Sequence, residues 1–175
     1  MMACIVRALS DGDLVQASQI RLEALRDHPS VFLSKYENEV KRGPDEWRSV
    51  LFGEDRCFFG LMDNGVIVGL IGIITWKDDP SGEYPGAVVA HYIKPDYRGR
   101  GLSVPMYQAC IHWALGHRAW KRVIVTHRAG NEGSRKAILA AGFQFTHNEP
   151  MIWPDGNEDN ECIYAINLEE MRQKQ

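Results

Sequence analysis

The densest chemistry in the sequence lies in Tyr97-Arg98-Gly99-Arg100-Gly101-Leu102-Ser103. This stretch follows an apolar, strand-like run and opens a segment of helical spacing. Glycines let the backbone approach a ligand closely, and a helix start offers four N–H groups without intrahelical partners. The helix dipole adds about half a positive charge at that end. Together these features make an anion site suited to a pyrophosphate. Arg98 and Arg100 can add charge-assisted hydrogen bonds. Pro105 fits the first turn of such a helix, where a missing N–H is tolerated. The alternative is a glycine-rich strand-to-helix turn that carries surface arginines. Neither GxxxxGK[ST] nor GxGxxG occurs, so a nucleoside-triphosphate loop and a dinucleotide fingerprint are not signalled.

Other reactive residue types form no comparable pattern. Cys4, Cys57, Cys110 and Cys162 stand far apart, without a CxxC, so neither a zinc site nor a thioredoxin-type motif is indicated. Buried free thiols are expected. The six histidines show no HExxH spacing, and no metal is implied.

Charge is uneven along the chain. Lys94, Arg98, Arg100, Arg118, Lys121, Arg122 and Arg128 share their segment with one acid, Asp96, in a protein of net charge -3. A local basic field in an otherwise acidic chain suits a compact polyanionic ligand, or it is a solvated basic face. The overall pI near 6.1 gives no case for nucleic acid.

The elements that must position these residues alternate along the chain. Residues 4–9 read as a short strand, followed by a helix through about Arg26 that Asp11, Gly12 and Asp13 can cap. A helix-compatible stretch covers 45–51. Strands at 57–62 and 66–76 flank Asp63-Asn64-Gly65, a hairpin signal. After a polar loop at 78–85, the apolar run 86–93 predicts a strand buried on both faces. Residues 102–117 carry helical spacing, 122–126 a β-branched strand, and 134–141 a short helix ended by Gly142. Closing strands are expected at 143–146 and 162–168, with a turn-rich stretch at 153–160 between them. At 175 residues this is one α/β (α+β) domain spanning 1–175, with a mixed sheet flanked by helices. No apolar run is long enough for a membrane span and no signal peptide is recognised, so a cytoplasmic protein is expected.

Ile93-Lys94-Pro95-Asp96-Tyr97-Arg98-Gly99-Arg100-Gly101 resembles the acetyl-coenzyme A signature of the GNAT superfamily of N-acetyltransferases. The core pattern Q/R-x-x-G-x-G/A is met by Arg98 and Gly101. Ser103 departs at its last position, but it is small and can donate to a phosphate. Asn131-x-x-Ser134, with Gly142-Phe143 eleven residues after the Asn, is similar to the family's second block. Arg21-Leu22-Glu23-Ala24-Leu25-Arg26 resembles its first helix. The resemblance implies a mostly antiparallel sheet splayed between its fourth and fifth strands, with acetyl-CoA as co-substrate in the opening. The strand ending at Ile93 would offer backbone groups to the pantetheine arm and acetyl carbonyl. Arg98, Gly99, Arg100, Gly101, Leu102 and Ser103 would hold the pyrophosphate. Asn131 would contact the pantetheine, or it caps a helix.

Amine acetylation requires a neutral nucleophile and a stabilised leaving thiolate. The family's usual acid, a Tyr seven residues after the Asn, is replaced by Ile138. Asn-x-x-Ser without that Tyr resembles the ribosomal-protein N-terminal acetyltransferase subgroup. This makes Ser134 the candidate to assist the thiolate, unless it only caps its helix. The usual strand-four Glu positions hold Ala87 and Val89. His91 shares their face if a period of two holds, so it is the candidate base; the alternative is a hydrogen-bonded core histidine. Glu83 acting through water is a further candidate.

The expected acceptor is a primary amine on a small molecule or a peptide, with monomer and homodimer both open. Asp78, Asp79 and Glu83, and Asp155, Glu158, Asp159 and Glu161, can attract a cationic amine or lie in solvated loops. Trp76, Tyr84, Tyr92 and Trp153 can line an acceptor pocket or sit in the core. The missing Tyr and Glu also fit a non-catalytic acyl-CoA-binding module on the same fold. A nucleotide-binding protein is a third possibility.

Overall fold

The computed structural model describes residues 3–175. The chain opens with strand β1 (Ile5–Ala8), a 3-10 turn at Asp11–Asp13 and helix α1 (Leu14–Asp27). Arg7 grips both carboxylate oxygens of Asp13 at 2.8 Å, and the Ser10 N–H donates to Asp13. Strand end and helix start are thus fixed together. A single turn α2 (Tyr36–Glu39) and helix α3 (Pro44–Leu51) follow, the latter opened by a proline where its missing N–H does no harm. The Asp63-Asn64-Gly65 turn joins β2 (Arg56–Asp63) to β3 (Val66–Thr75), with Asn64 and Gly65 both at positive φ as a tight hairpin turn needs.

Strand β4 (Gly86–Ile93) leads into α4 (Ser103–Gly116) through Pro95–Ser103. Strand β5 (Arg122–Arg128), helix α5 (Glu132–Ala140), strands β6 (Gln144–Ile152) and β7 (Glu158–Asn167) and the short helix α6 (Leu168–Gln173) complete the domain. The sheet order is β1-β2-β3-β4-β5-β7-β6, antiparallel except for the β4–β5 pair.

Two apolar layers cover the sheet. On one face α4 packs Met106, Tyr107, Cys110 and Ala114 onto Leu61, Ile71, Ile73 and Val123. On the other, α1 and α3 pack Ala17, Ile20, Ala24 and Trp47 onto Phe58, Leu70 and Tyr92. Each large aliphatic side chain buried this way contributes about 1.5–3 kcal/mol. The C-terminal end of α4 is closed by Arg172 of α6, whose guanidinium donates to the carbonyls of Ala114, Leu115, His117 and Trp120 at 2.8–3.2 Å.

The expected elements are present, with three differences. The β6–β7 hairpin is longer than expected, its strands reaching Ile152 and starting at Glu158 on either side of the turn, because its outer part is exposed on both faces and shows no alternation. Helices α2 and α6 are too short to leave a period in the sequence. Among the described residues no helix is long and apolar enough to cross a membrane, and no cluster of His, Cys, Asp or Glu could hold a metal ion.

Candidate functional site

Strands β4 and β5 pair only at Gly86↔Val123 and Ala87↔Ile124. The missing side chain of Gly86 admits the Trp120 ring against the backbone at this closed end. Beyond Ala87 the strands part, and a cleft of about 540 Å³ opens between them, within the range of small-molecule sites. Val88–Ile93 form one wall and Val125–His127 the other, with the starts of α4 and α5 at the mouth.

The Pro95–Ser103 turn is shaped by its own side chains. Nε of Arg98 donates to the Ile93 carbonyl at 2.7 Å, and Nη2 lies 3.1 Å from Nε2 of His28. Arg100 donates to the Asp96 carbonyl at 2.6 Å and lies over the Tyr97 ring. Gly99 and Gly101 both sit at φ 72°, a conformation that favours glycine, and a Cβ at either would meet nothing within 4 Å. Their backbone borders open space just ahead of the α4 N-terminus. Ile93, Arg98, Gly99, Gly101, Leu102 and Ser103 line the cleft; Arg100 stands behind the turn.

Asn131 and Ser134 reach the same cleft from α5. Oδ1 of Asn131 accepts from the Ser134 N–H at 3.2 Å, the geometry of an N-cap. Among the described residues the Ser134 hydroxyl has no protein partner and lies half-buried.

His91 is in the cleft wall, but not on the face that simple alternation assigns. Opposite β3, Gly72 pairs with Val89 and Leu70 with Tyr92, so β4 carries one residue too many and bulges. Ala90 takes φ 58° there. The bulge leaves Val89, Ala90 and Tyr92 toward the α1 side and turns His91 toward α4. Its ring packs on Tyr107 at 4.8 Å, with Nδ1 3.3 Å from the phenol oxygen. Nε2 is buried without a partner. Burial, with a smaller push from the Arg98 charge, lowers the His91 pKa to about 4, so the ring is neutral at pH 7. Such a group is a weak base near neutrality.

On the α1 side of β4, Tyr92 donates to Glu23 at 2.9 Å. Burial first, and this carboxylate second, push its phenol up to about 12. Arg21, His28, Phe32 and Leu33 close this side, and His127 lines the β5 wall with its Nε2 3.0 Å from the Tyr164 hydroxyl. Sequence reasoning missed Arg21, Phe32, Tyr107 and His127 as site residues. Only the helical spacing of α1 and α4 hinted that two of them face the sheet.

Asp79, Glu83, Asp155 and Asp159 of the acidic runs are engaged outside the cleft, by Arg122 and Arg128 of the basic segment. Arg122 holds Asp79 at 3.1 Å and Glu83 at 3.4 Å, near the closed end of the β4–β5 pair. Glu83 is therefore remote from the cleft and is no candidate to act there. Arg128 holds Asp155 at 2.7 Å and Asp159 at 3.3 Å. No Asp or Glu lines the cleft. Of the aromatics proposed for an acceptor pocket, Tyr92 alone lines it; Trp153 is buried and Tyr84 is exposed.

A family model described as the acetyltransferase (GNAT) family matches residues 18–143. No curated protein sequence matches the chain significantly. Solved structures with this fold include an acetyltransferase of the GNAT family from Streptococcus pneumoniae, 15% identical, covering 94% of this chain and 98% of that one, with a TM-score of 0.75. A GNAT superfamily phosphinothricin acetyltransferase from Sinorhizobium meliloti, in complex with acetyl-CoA, is 15% identical over 95% and 89% of the two chains, with a TM-score of 0.75. A ribosomal-protein-alanine N-acetyltransferase from Brucella melitensis is 16% identical over 93% and 99%, with a TM-score of 0.71. At these identities the likeness is one of fold.

Proposed function

The chain belongs to the acetyltransferase (GNAT) family, and on that premise we propose that it binds acetyl-CoA in the β4–β5 cleft and passes the acetyl group directly to a primary amine. One observation carries this reading: the Arg98–Ser103 turn and the α5 start with Asn131 and Ser134 meet in a single cleft that the splayed strands open. The residues fit the co-substrate. Gly99 and Gly101 leave room at the helix N-terminus for a diphosphate, whose charge the α4 dipole and backbone N–H groups favour. Beyond Ala87, β4 has no ladder partner on its β5 side, so its polar backbone is free to bond a pantetheine arm. Arg98 and Arg100 hold the turn in shape through the Ile93 and Asp96 carbonyls, and their charges add to the local field.

When bound, acetyl-CoA supplies an activated acetyl group as a thioester. The amine nitrogen attacks the carbonyl carbon, the new C–N bond forms, and the C–S bond breaks with its electrons on sulfur. The proton shed by the amine goes to solvent and the thiolate regains one. Ser134 offers its unpartnered hydroxyl to the sulfur, while Asn131 fixes the first turn of α5 beneath it. His91, neutral and packed on Tyr107, positions the bulge of β4; water then serves as the proton acceptor in place of a carboxylate. None of the four cysteines lines the cleft, and among the described residues no histidine is hydrogen-bonded to the Ser134 hydroxyl, which favours direct transfer over an acyl-enzyme.

The test is thiol release from acetyl-CoA by the purified protein, with and without a panel of amines and N-terminal peptides. Amine-dependent release above the enzyme-free rate is expected. Tight acetyl-CoA binding without release for any amine would refute the transferase reading.

A further inference from the structure

Resting on the acetyltransferase reading above, we infer that the acceptor amine carries a carboxylate, and that Arg21 is the residue that recognises it. Arg21 stands on α1, across β4 from the proposed thioester site, and lines the cleft together with His28, Phe32 and Leu33. Its side chain is only 13% exposed. Nε and Nη2 donate to the two oxygens of Glu39, each at 3.1 Å. The remaining nitrogen, Nη1, is buried and has no partner.

A buried charged donor left unmade is costly and calls for an acceptor. Glu39 cannot be that acceptor, because it already bridges Arg21 and Arg42, the latter at 3.2 Å. Two guanidinium groups share one carboxylate, so the cluster keeps one surplus positive charge. No Asp or Glu lines the cleft to cancel it. Asp79, Glu83, Asp155 and Asp159, four of the acids that could draw a polyamine, are bound to Arg122 and Arg128 outside the cleft. Nη1 presents two N–H donors, and an acceptor anion completes the set.

Arg21 also lies on the wrong side of β4 to serve the diphosphate at the α4 N-terminus. The Phe32 ring packs over the guanidinium, 5.2 Å from its carbon. Nη1 is buried, so binding of the acceptor carboxylate must uncover it. The neighbouring Val31, Phe32 and Leu33 then offer apolar contact to the rest of the acceptor.

Matched acceptors test this without altering the protein. Thiol release from acetyl-CoA would be compared for leucine, leucinamide and isoamylamine, for phenylalanine, its amide and phenethylamine, and for spermidine and an N-terminal peptide amide. The expected result is a kcat/KM at least tenfold higher for the carboxylates than for their amides and amines. In Arg21→Gln that preference should fall to within twofold, with acetyl-CoA affinity, read by calorimetry, unchanged. Arg21→Lys keeps a charge beside Glu39 and guards against misfolding; it too should lose most of the preference. Equal or better turnover of amides, spermidine or the peptide overturns the inference and leaves the transferase reading intact. Weaker acetyl-CoA binding in Arg21→Gln with normal folding overturns it in favour of a co-substrate role. Transfer to no acceptor of either kind overturns the transferase reading and this inference with it.

Discussion

The Tyr107 hydroxyl lies 3.3 Å from Nδ1 of His91, while Nε2 of the same ring is buried without a partner. The phenol has no other acceptor among the described residues. If it donates to Nδ1, the ring proton sits on Nε2 and one donor is left unmade. The reverse arrangement strands both the phenol O–H and Nε2, which is costlier. The pair therefore fixes a neutral tautomer whose N–H faces away from Tyr107.

That tautomer has a consequence for acid stability. Burial, then Arg98, lowers the His91 pKa to about 4, against an ordinary 6.5. Between these values the unfolded chain binds a proton that the folded chain does not, so stability falls as pH drops from about 6.5 to 4. The contribution is full above pH 6.5 and amounts to about 3 kcal/mol across the window. Urea denaturation at pH 7 and 4.5 should show a smaller difference in His91→Gln than in the parent. Identical differences would mean that His91 does not titrate this way.

Gly101 tests the phosphate turn. At φ 72° an alanine is strained by about 1–2 kcal/mol, and its methyl group would project into open space rather than into protein. Gly101→Ala should lower the melting temperature by only a few degrees, yet weaken acetyl-CoA binding at least tenfold in calorimetry. Unchanged affinity in a folded variant would remove this turn from the co-substrate site.

Ser134 and Asn131 separate chemistry from architecture. Ser134→Ala removes the free hydroxyl but keeps the backbone N–H that Asn131 accepts. Its kcat should fall about 10- to 100-fold, the worth of one hydrogen bond to a charged group, with little change in stability. Asn131→Ala removes the cap and should cost about 1 kcal/mol of folding stability. A Ser134→Ala enzyme with parental kcat would reduce Ser134 to a helix residue.

Much of this site is legible in the sequence, because local rules act there. Gly99 and Gly101 announce the turn, and the apolar run at 86–93 matches β4 residue for residue. Asn131 and Ser134 lie one helical turn apart, so their meeting at one helix end is a local matter. His91 was placed on the wrong face because the extra residue at Ala90 breaks a period of two, and nothing local marks a bulge formed by pairing with β3. Arg21 and Tyr107 enter the cleft only once α1 and α4 settle on opposite faces of the sheet. The acidic runs looked available in the sequence. Four of these acids are held by Arg122 or Arg128, 27 to 43 positions away, so that pairing is a product of tertiary structure.

Arg172 offers a test of the scaffold apart from the chemistry. The last carbonyls of a helix have no intrahelical donor, and a cation there also favours the dipole. Arg172 supplies four hydrogen bonds from one guanidinium to the carbonyls of Ala114, Leu115, His117 and Trp120. Truncation leaves these half-buried acceptors without a charged donor, and each such bond contributes more than a neutral one. Arg172→Ala should therefore lose about 2–3 kcal/mol, or about 5–10 °C in melting temperature for a domain of this size. Arg172→Lys should recover little, because an ammonium cannot span four carbonyls as the planar fork does. Specific activity of the folded fraction should stay at the parental level, since Arg172 lies outside the cleft. A melting temperature within a degree of the parent would show that solvent caps α4 equally well.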